Sequence, residues 1–187
     1  MKELIIKLRE SSSKIRIYKN RINRGKGASI RKGIKMAHGD IIIVQDGDTE
    51  YDPQDIPKLL EPILNNEADA VYGSRFLYNA HPERMALPNL IANRLLTAFT
   101  NMLFNANLTD MMTCYKIVRT EIIKSVRLRS NRFTFEPEIT ALLLKRGIKI
   151  KEVPIHYYGR TAKEGKKIKA VDFFTSVFML LWQWCKR

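Results

Sequence analysis

Asp46 and Asp48 stand one glycine apart, directly after Ile41-Ile42-Ile43-Val44, and this pair is where the sequence first offers chemistry. Two carboxylates held about 4 Å apart repel by roughly 4 kcal/mol at an effective dielectric near 20. A hard divalent cation turns that repulsion into attraction, and Mg²⁺ or Mn²⁺ takes such oxygen ligands. Gly47 adds no side chain between them, so a bulky anion can approach the backbone. The same pair also reads as turn formers, because Asp is common where a strand ends. Asp52 is of another kind. It precedes Pro53, with Asp55 three residues on, and reads as a helix N-cap followed by proline at the first helical position.

The element that must present the pair is the apolar run before it. Four branched residues without polar alternation suit a strand buried on both faces, as in a parallel sheet covered by helices. Open α/β sheets place ligands at the carboxyl ends of such strands. The flanking pattern agrees. Lys14–Lys19 alternates as a half-buried strand, and Ala28–Ala37 reads as a helix stopped by Gly39. Pro53 to about Leu64 is a second helix, and Ala70–Tyr72 a short strand ending in Gly73-Ser74-Arg75. Strand, helix, strand, helix, strand in this order predicts a right-handed parallel sheet. Between the first strand and helix, the loop Asn20–Gly27 carries Arg24 and Lys26. It offers cations and backbone N–H groups to a phosphate, or is simply a solvated basic loop.

Further along, Asn89–Asn105 has a helical stripe of Leu95, Phe99, Met102 and Leu103, with Arg94 among its polar positions. Thr109–Lys116 reads as a turn. Glu136–Arg146 reads as a helix closed by Gly147, and Lys149–Tyr157 as a strand whose Pro154 favours a sheet edge or a strand end. Glu3–Glu10 has helical spacing and no signal-peptide pattern. The segment from Arg160 to Lys169 is basic. Ala170–Lys186 is amphipathic and rich in Phe, Leu and Trp, which suits either a helix packed on the sheet or one lying at a membrane interface.

Composition bounds the classes. The 187 residues fit one domain, and 45% apolar with 28% charged residues is a folded composition. Lys and Arg total 33 against 19 Asp and Glu, a net charge of +14, which implies an anionic partner: nucleic acid, an anionic membrane surface or a phosphorylated substrate. Cys114 and Cys185 lack metal-ligand spacing and read as ordinary thiols in a reducing compartment. His38, His81 and His156 form no ligand cluster. The longest uncharged run, Phe173–Cys185, is short of the roughly 18 apolar residues that span a bilayer.

Five stretches together resemble a known family. They are Gln45-Asp46-Gly47-Asp48-Thr49-Glu50-Tyr51-Asp52-Pro53, Tyr72-Gly73-Ser74-Arg75-Phe76-Leu77, Leu108–Lys116, Asn131–Thr140 and Tyr157–Ile168. From about Lys14 to the C-terminal helix the chain resembles the family 2 glycosyltransferases, in the polyprenyl-phosphate sugar synthase branch typified by dolichyl-phosphate mannose synthase. The resemblance implies an α/β GT-A fold, a Rossmann-like three-layer sandwich of the nucleotide-diphospho-sugar transferases. It implies a glycosyltransferase domain over residues 1–169 that lacks its first strands, followed over 170–187 by the amphipathic helix for which packing on the sheet and a membrane interface both stay open. It also implies metal-dependent, inverting transfer of a sugar from a GDP-mannose or UDP-glucose type donor to a polyprenyl or dolichyl phosphate at the cytoplasmic face of a membrane.

By the same resemblance Asp46, Asp48 and Glu50 match the metal motif, for Mg²⁺ or Mn²⁺. Arg75, Arg94, Arg160, Lys166 and Lys167 match basic positions facing phosphates, and Asp110 an acidic position near the acceptor. Arg75, Arg94 and Asp110 are thus the catalytic candidates; Arg24, Lys26, Arg160, Lys166 and Lys167 are the substrate-binding ones. Glu136 and Glu138 match a motif without an assigned role. Family members begin with two further strands, ending in Tyr-Asn-Glu and Asp-Asp-Gly-Ser type motifs, that are absent here. The expectation is an N-terminally truncated fold: either the chain is a truncated or split product, or a separate polypeptide supplies the missing strands. Two other readings remain at this point: a non-catalytic basic module for nucleic acid or an anionic membrane, and an inactive paralogue. The adjacent carboxylates argue against nucleic acid as the partner, and no aromatic RNA-stacking motif is present.

Overall fold

The computed structural model describes residues 12, 14–160 and 170–186. The expected helix at Glu3–Glu10 and the basic residues Lys166 and Lys167 lie outside the described residues. In chain order the elements are α1 (Lys26–Met36), β1 (Ile41–Ile43), a 3₁₀ turn (Pro53–Asp55), α2 (Ile56–Leu64), β2 (Ala70–Ser74) and α3 (Leu87–Phe104). There follow β3 (Lys116–Arg119), α4 (Thr120–Ser125), α5 (Phe135–Lys145), β4 (Ile150–Pro154) and α6 (Ala170–Cys185).

The four strands form one sheet in the order β1-β3-β2-β4. β2 and β4 are parallel, with Tyr72 opposite Glu152. β3 runs antiparallel to both β1 and β2, pairing Ile43 with Ile117 and Tyr72 with Lys116. The expected all-parallel sheet is therefore corrected. β1 and β2 point the same way but are not neighbours, because β3 lies between them. β3 is four residues long and bounded by Lys116 and Arg119, too short to show a period of two. The arrangement has a functional consequence. The carboxyl ends of β1 and β2 and the entry to β3 lie on the same side of the sheet, so Asp46, Arg75 and the loop Thr109–Tyr115 converge there.

Side chains alternate across the sheet. Val71 and Ile117 enter one core with Leu59, Ile63, Tyr115 and Ile155, under α2. Ala70, Tyr72 and Val118 enter the other with Ile34, Phe135, Ile139 and Leu143, under α1 and α5. Helices thus cover both faces, giving three layers. All five residues of β2 are buried, whereas in β1 only Ile42 is. β1 is an edge of the described sheet, yet it is covered on both faces as its apolar run predicts: Ile42 enters the core under α1 and α5, and the partly buried Ile41 and Ile43 pack against the core under α2. Lys14–Lys19 forms no strand, and Ile15 and Ile17 are exposed. Alternation gives a strand a burial preference but not a partner, and among the described residues nothing pairs with it.

The local signals fare better. The Asp52 carboxylate accepts the Gln54 N–H at 2.9 Å ahead of Pro53, the predicted N-cap. Gly147 takes the left-handed conformation (φ +70°) that closes α5. Gly39 does not; α1 ends instead on an extended Ala37. On α3 the buried stripe is Leu96, Thr97 and Thr100 flanked by Phe99 and Leu103, while Leu95 and Met102 face solvent. α6 packs on α3 and α5, burying Ser176, Leu180 and Gln183. Pro154 ends β4, which is the other sheet edge.

Candidate active site

At the end of β1, Asp46 is held from behind. Lys26, the first residue of α1, puts its Nζ 2.9 Å from Asp46 Oδ2, 3.0 Å from Glu136 Oε1 and 2.9 Å from Cys114 Sγ. The position of Lys26 is set by glycines. Gly25 has φ +91°, and a Cβ there would lie 2.5 Å from the Asn131 carbonyl oxygen; at Gly27 it would lie 2.7 Å from that of Ser130. The Ala28 N–H donates to Asn131 O at 3.1 Å, so this N–H at the head of α1 is taken by the protein itself. Burial opposes the charge on Lys26, yet its pKa is raised, because Glu136 first, with Cys114 and Asp46, outweighs desolvation. Burial pushes the Cys114 thiol up to about 12, so it stays protonated. Arg24, in the same loop, is exposed.

Asp48 and Glu50 meet a different cation. Arg160 Nη2 donates to Asp48 Oδ2 at 2.7 Å, its Nε lies 3.4 Å from Glu50 Oε1, and its backbone N–H donates to the same oxygen at 2.9 Å. The backbone brings this about. Tyr51 bridges Tyr157, and the Tyr158 N–H donates to Glu50 O at 3.0 Å. Asp48 Oδ1 also accepts the Glu50 N–H at 3.1 Å.

At the end of β2, Arg75 and Asp110 form a buried two-pronged pair. Nε and Nη2 of Arg75 donate to Oδ2 and Oδ1 of Asp110 at 2.6 and 2.7 Å, and the Arg75 backbone N–H adds a third bond at 3.1 Å. Glu152 on β4 fixes the loop, accepting the backbone N–H groups of Thr109 at 2.7 Å and Asp110 at 2.9 Å. The Arg75 guanidinium lies 5.1 Å from the Tyr157 ring centroid. Desolvation works against its charge, but Asp110 holds the pKa well above the ordinary value. Both carboxylate oxygens of Asp110 are thereby committed to Arg75. Arg94 is exposed on α3, its guanidinium 4.3 Å from the Phe76 ring centroid, with Nη2 donating to Ala80 O at 3.2 Å.

A cleft of about 760 Å³ opens beside these groups, lined by Asp48, Glu50, Tyr51, Arg75, Tyr78, His156, Tyr157 and Tyr158 among others. His156 at its rim is tied to the buried Asp55, Nδ1 to Oδ1 at 2.9 Å. Lys116, at the head of β3, donates to the carbonyls of Met111 and Thr113 at 2.8 and 2.6 Å.

Asp46 and Lys26 thus form one group, Asp48, Glu50 and Arg160 a second, and Arg75 with Asp110 a third. Arg24 and Arg94 stand apart from all three. Among the described residues no group of three or more His, Cys, Asp or Glu side chains could hold a metal ion, so the expected trio of Asp46, Asp48 and Glu50 is not gathered into a cage. The donor chemistry nevertheless fits Mg²⁺ or Mn²⁺. Asp48 offers carboxylate oxygens at the cleft, with Asp46 two residues before it, and such ions are commonly held by one or two carboxylates plus substrate phosphates. Sequence reasoning missed the partners of these residues: Glu136 and Cys114 for Lys26, Glu152 for the Asp110 loop, and the tyrosines of the cleft. They come from distant parts of the chain, and local periodicity carries no signal of them.

The model of the family "Glycosyl transferase family 2" matches residues 1–127. The UDP-N-acetylglucosamine–dolichyl-phosphate N-acetylglucosaminyltransferase of Methanococcus voltae is 29% identical, over 76% of this chain and 59% of its own. The dolichol-phosphate mannosyltransferase of Pyrococcus furiosus is 26% identical, over 90% of this chain and 48% of its own. The crystal structure of glucosyl-3-phosphoglycerate synthase from Mycobacterium tuberculosis with Mn²⁺, UDP-glucose and phosphoglyceric acid superposes with a TM-score of 0.63 at 16% identity, over 92% of this chain and 57% of that one. The chain thus spans about half to three fifths of these proteins. The superposition identifies the mixed sheet with helices on both faces as the GT-A fold, of which this chain covers a part. From the fold and the match of the family model, the chain belongs to glycosyl transferase family 2.

Proposed function

We propose that this chain carries the catalytic surface of a transferase that moves a sugar from a nucleotide-sugar donor to a polyprenyl phosphate, with metal dependence and inversion. The observation that carries the reading is the placement of Asp46 and Asp48 at the carboxyl end of β1, beside a cleft that Arg75 lines and Arg160 adjoins. The named substrates of the Methanococcus voltae and Pyrococcus furiosus relatives supply the acceptor class. Asp46 and Asp48 would hold Mg²⁺ or Mn²⁺, which neutralises charge developing on a departing nucleoside diphosphate. Glu50, paired with Arg160, sets where that arginine waits. Arg160 then exchanges the carboxylates for a phosphate, and Lys166 and Lys167 follow it in the sequence.

The acceptor phosphate oxygen is already anionic, so it attacks the anomeric carbon without a strong general base. The new C–O bond forms on the face opposite the leaving diphosphate. Arg75 presents its charge to the cleft, with Asp110 as its positioning residue, and two mutually repelling anions are thereby held for reaction. Arg94 and Arg24 add charge at the periphery.

For the membrane side, α6 exposes Phe174, Phe178, Leu181 and Trp184, and the adjoining α3 exposes Leu87, Ile91, Leu95 and Met102. No helix among the described residues is long and apolar enough to cross a membrane. These faces would instead lie in the interface of an anionic bilayer at its cytoplasmic side, drawn by the net charge of +14.

Incubating the chain with GDP-mannose or UDP-glucose, Mn²⁺ and polyprenyl phosphate in anionic vesicles tests it. Glycosylated lipid is expected. No product under any of these conditions overturns the reading. A second reading, a basic binding module, keeps one observation: a groove between α1 and α4 lined by Arg31, Lys32, Lys35, Lys124 and Arg127. Tight duplex-DNA binding that weakens steeply with salt, with none to vesicles, would favour it.

A further inference from the structure

The head of α5 carries two acidic residues, Glu136 and Glu138, and the structure separates their duties. Glu138 is fully buried and accepts the backbone N–H groups of Arg129 and Ser130 at 2.8 to 3.0 Å. It fixes the loop against which Gly25 and Gly27 are packed. Glu136 is also buried, but binds no backbone. One oxygen faces Lys26 Nζ at 3.0 Å, and the other, Oε2, is buried without a hydrogen bond. Among the described residues Lys26 is therefore the only polar partner of the Glu136 carboxylate. A buried carboxylate kept for one contact is costly unless that contact is needed.

Lys26 touches Asp46 with the same ammonium group. Alone, a partly buried cation 2.9 Å from Asp46 would cancel the charge that a metal ion needs. With Glu136 opposite, the ammonium is shared between two carboxylates, and the trio keeps a net negative charge. We infer that Glu136 is a positioning residue for the metal site, acting through Lys26: it holds the Lys26 ammonium between two carboxylates, so that Asp46 keeps its charge for the metal. This rests on the reading of Asp46 as a metal ligand. Outer partners that sustain the charge of a metal-ligating group typically cost about 10–100-fold in affinity when lost.

The test is a set of Mn²⁺ titrations, read by the loss of the free-ion paramagnetic resonance signal, with UDP or GDP present and no turnover required. Glu136→Gln keeps the shape and removes the charge, so Mn²⁺ affinity should fall about tenfold. The double variant Lys26→Gln with Glu136→Gln removes the cation together with its counter-charge, and should return affinity to within about threefold of the parent chain. A merely structural role for Glu136 predicts the opposite, a double variant no better than the single one, and that result overturns the inference. An unchanged affinity in Glu136→Gln overturns it as well. Should Glu136→Gln fail to fold, Lys26→Gln alone serves: it leaves Glu136 uncompensated beside Asp46, so Mn²⁺ affinity should hold or rise, and a tenfold fall would refute the charge balance. Asp46→Asn separates the two claims. If it binds Mn²⁺ as the parent does, the metal reading itself fails; if it does not bind and Glu136→Gln is unaffected, only the relay fails.

Discussion

β1 and β2 run in the same direction and end on the same side of the sheet, yet they deliver their polar residues in opposite ways. β2 is buried throughout and hands over Arg75, whose guanidinium is locked to Asp110 by two hydrogen bonds, with Glu152 behind them. β1 is a partly buried edge strand and hands over Asp46 and Asp48, whose partners are cations on other segments, Lys26 and Arg160. The first arrangement is saturated, and any ligand must fit to it. The second is exchangeable on the proposed function, in which a metal ion and a diphosphate would take over from Arg160. The proposed transfer would use both: a fixed charge to place the acceptor and a responsive one to take the donor and release it.

The sharpest way to break this comparison is to unpair the β2 side. Arg75→Met leaves Asp110 buried without its partner, and should lower unfolding stability by about 3–5 kcal/mol in a urea titration. Asp48→Asn, on the β1 side, should change stability by less than about 1 kcal/mol. Equal losses would erase the distinction between a saturated and an exchangeable half.

Lys116 offers a pH test of the buried side. Burial lowers its pKa to about 8, against the ordinary value of 10.5. Between those values the unfolded chain holds a proton that the folded chain has released, so folding stability gains as pH rises. The stability of the parent chain minus that of Lys116→Met should therefore climb from pH 8 to about 10.5, by roughly 3 kcal/mol at most. A flat difference would mean that Lys116 keeps its proton in the fold.

The smallest effect belongs to Arg160. Arg160→Gln should weaken UDP or GDP binding about tenfold through the lost charge-assisted bond, while leaving unfolding within about 1 kcal/mol of the parent. A large loss of stability with unchanged nucleotide binding would make Arg160 a structural clamp.

What the sequence disclosed follows the same division. The Asp46–Asp48 pair after an apolar run, the Asp52 cap and the Gly147 stop are local signals, written within a few residues of each other. The strand at Lys14–Lys19 was misread because alternation describes a face and says nothing of a neighbour. β3 went unread because four residues do not make a pattern, and its insertion turned an expected parallel sheet into a mixed one. On α3 the stripe was misplaced by a fraction of a turn: Leu95 and Met102 face out, and Thr97 and Thr100 are inside, where their hydroxyls find partners in the Met111 N–H and Leu96 O. The site was legible as a set of residue types but not as pairs. Lys26 meets Glu136, and Arg75 meets Asp110, only after the chain has folded.

The most direct measurement is calorimetric titration of UDP and GDP into the chain with and without Mn²⁺, repeated on Asp46→Asn. The account predicts that the parent chain binds a nucleoside diphosphate in a metal-dependent way and that Asp46→Asn loses this dependence, with affinity down at least tenfold. Binding that is equally tight without Mn²⁺, and unchanged in Asp46→Asn, would contradict the assignment of this strand end as a metal–diphosphate site.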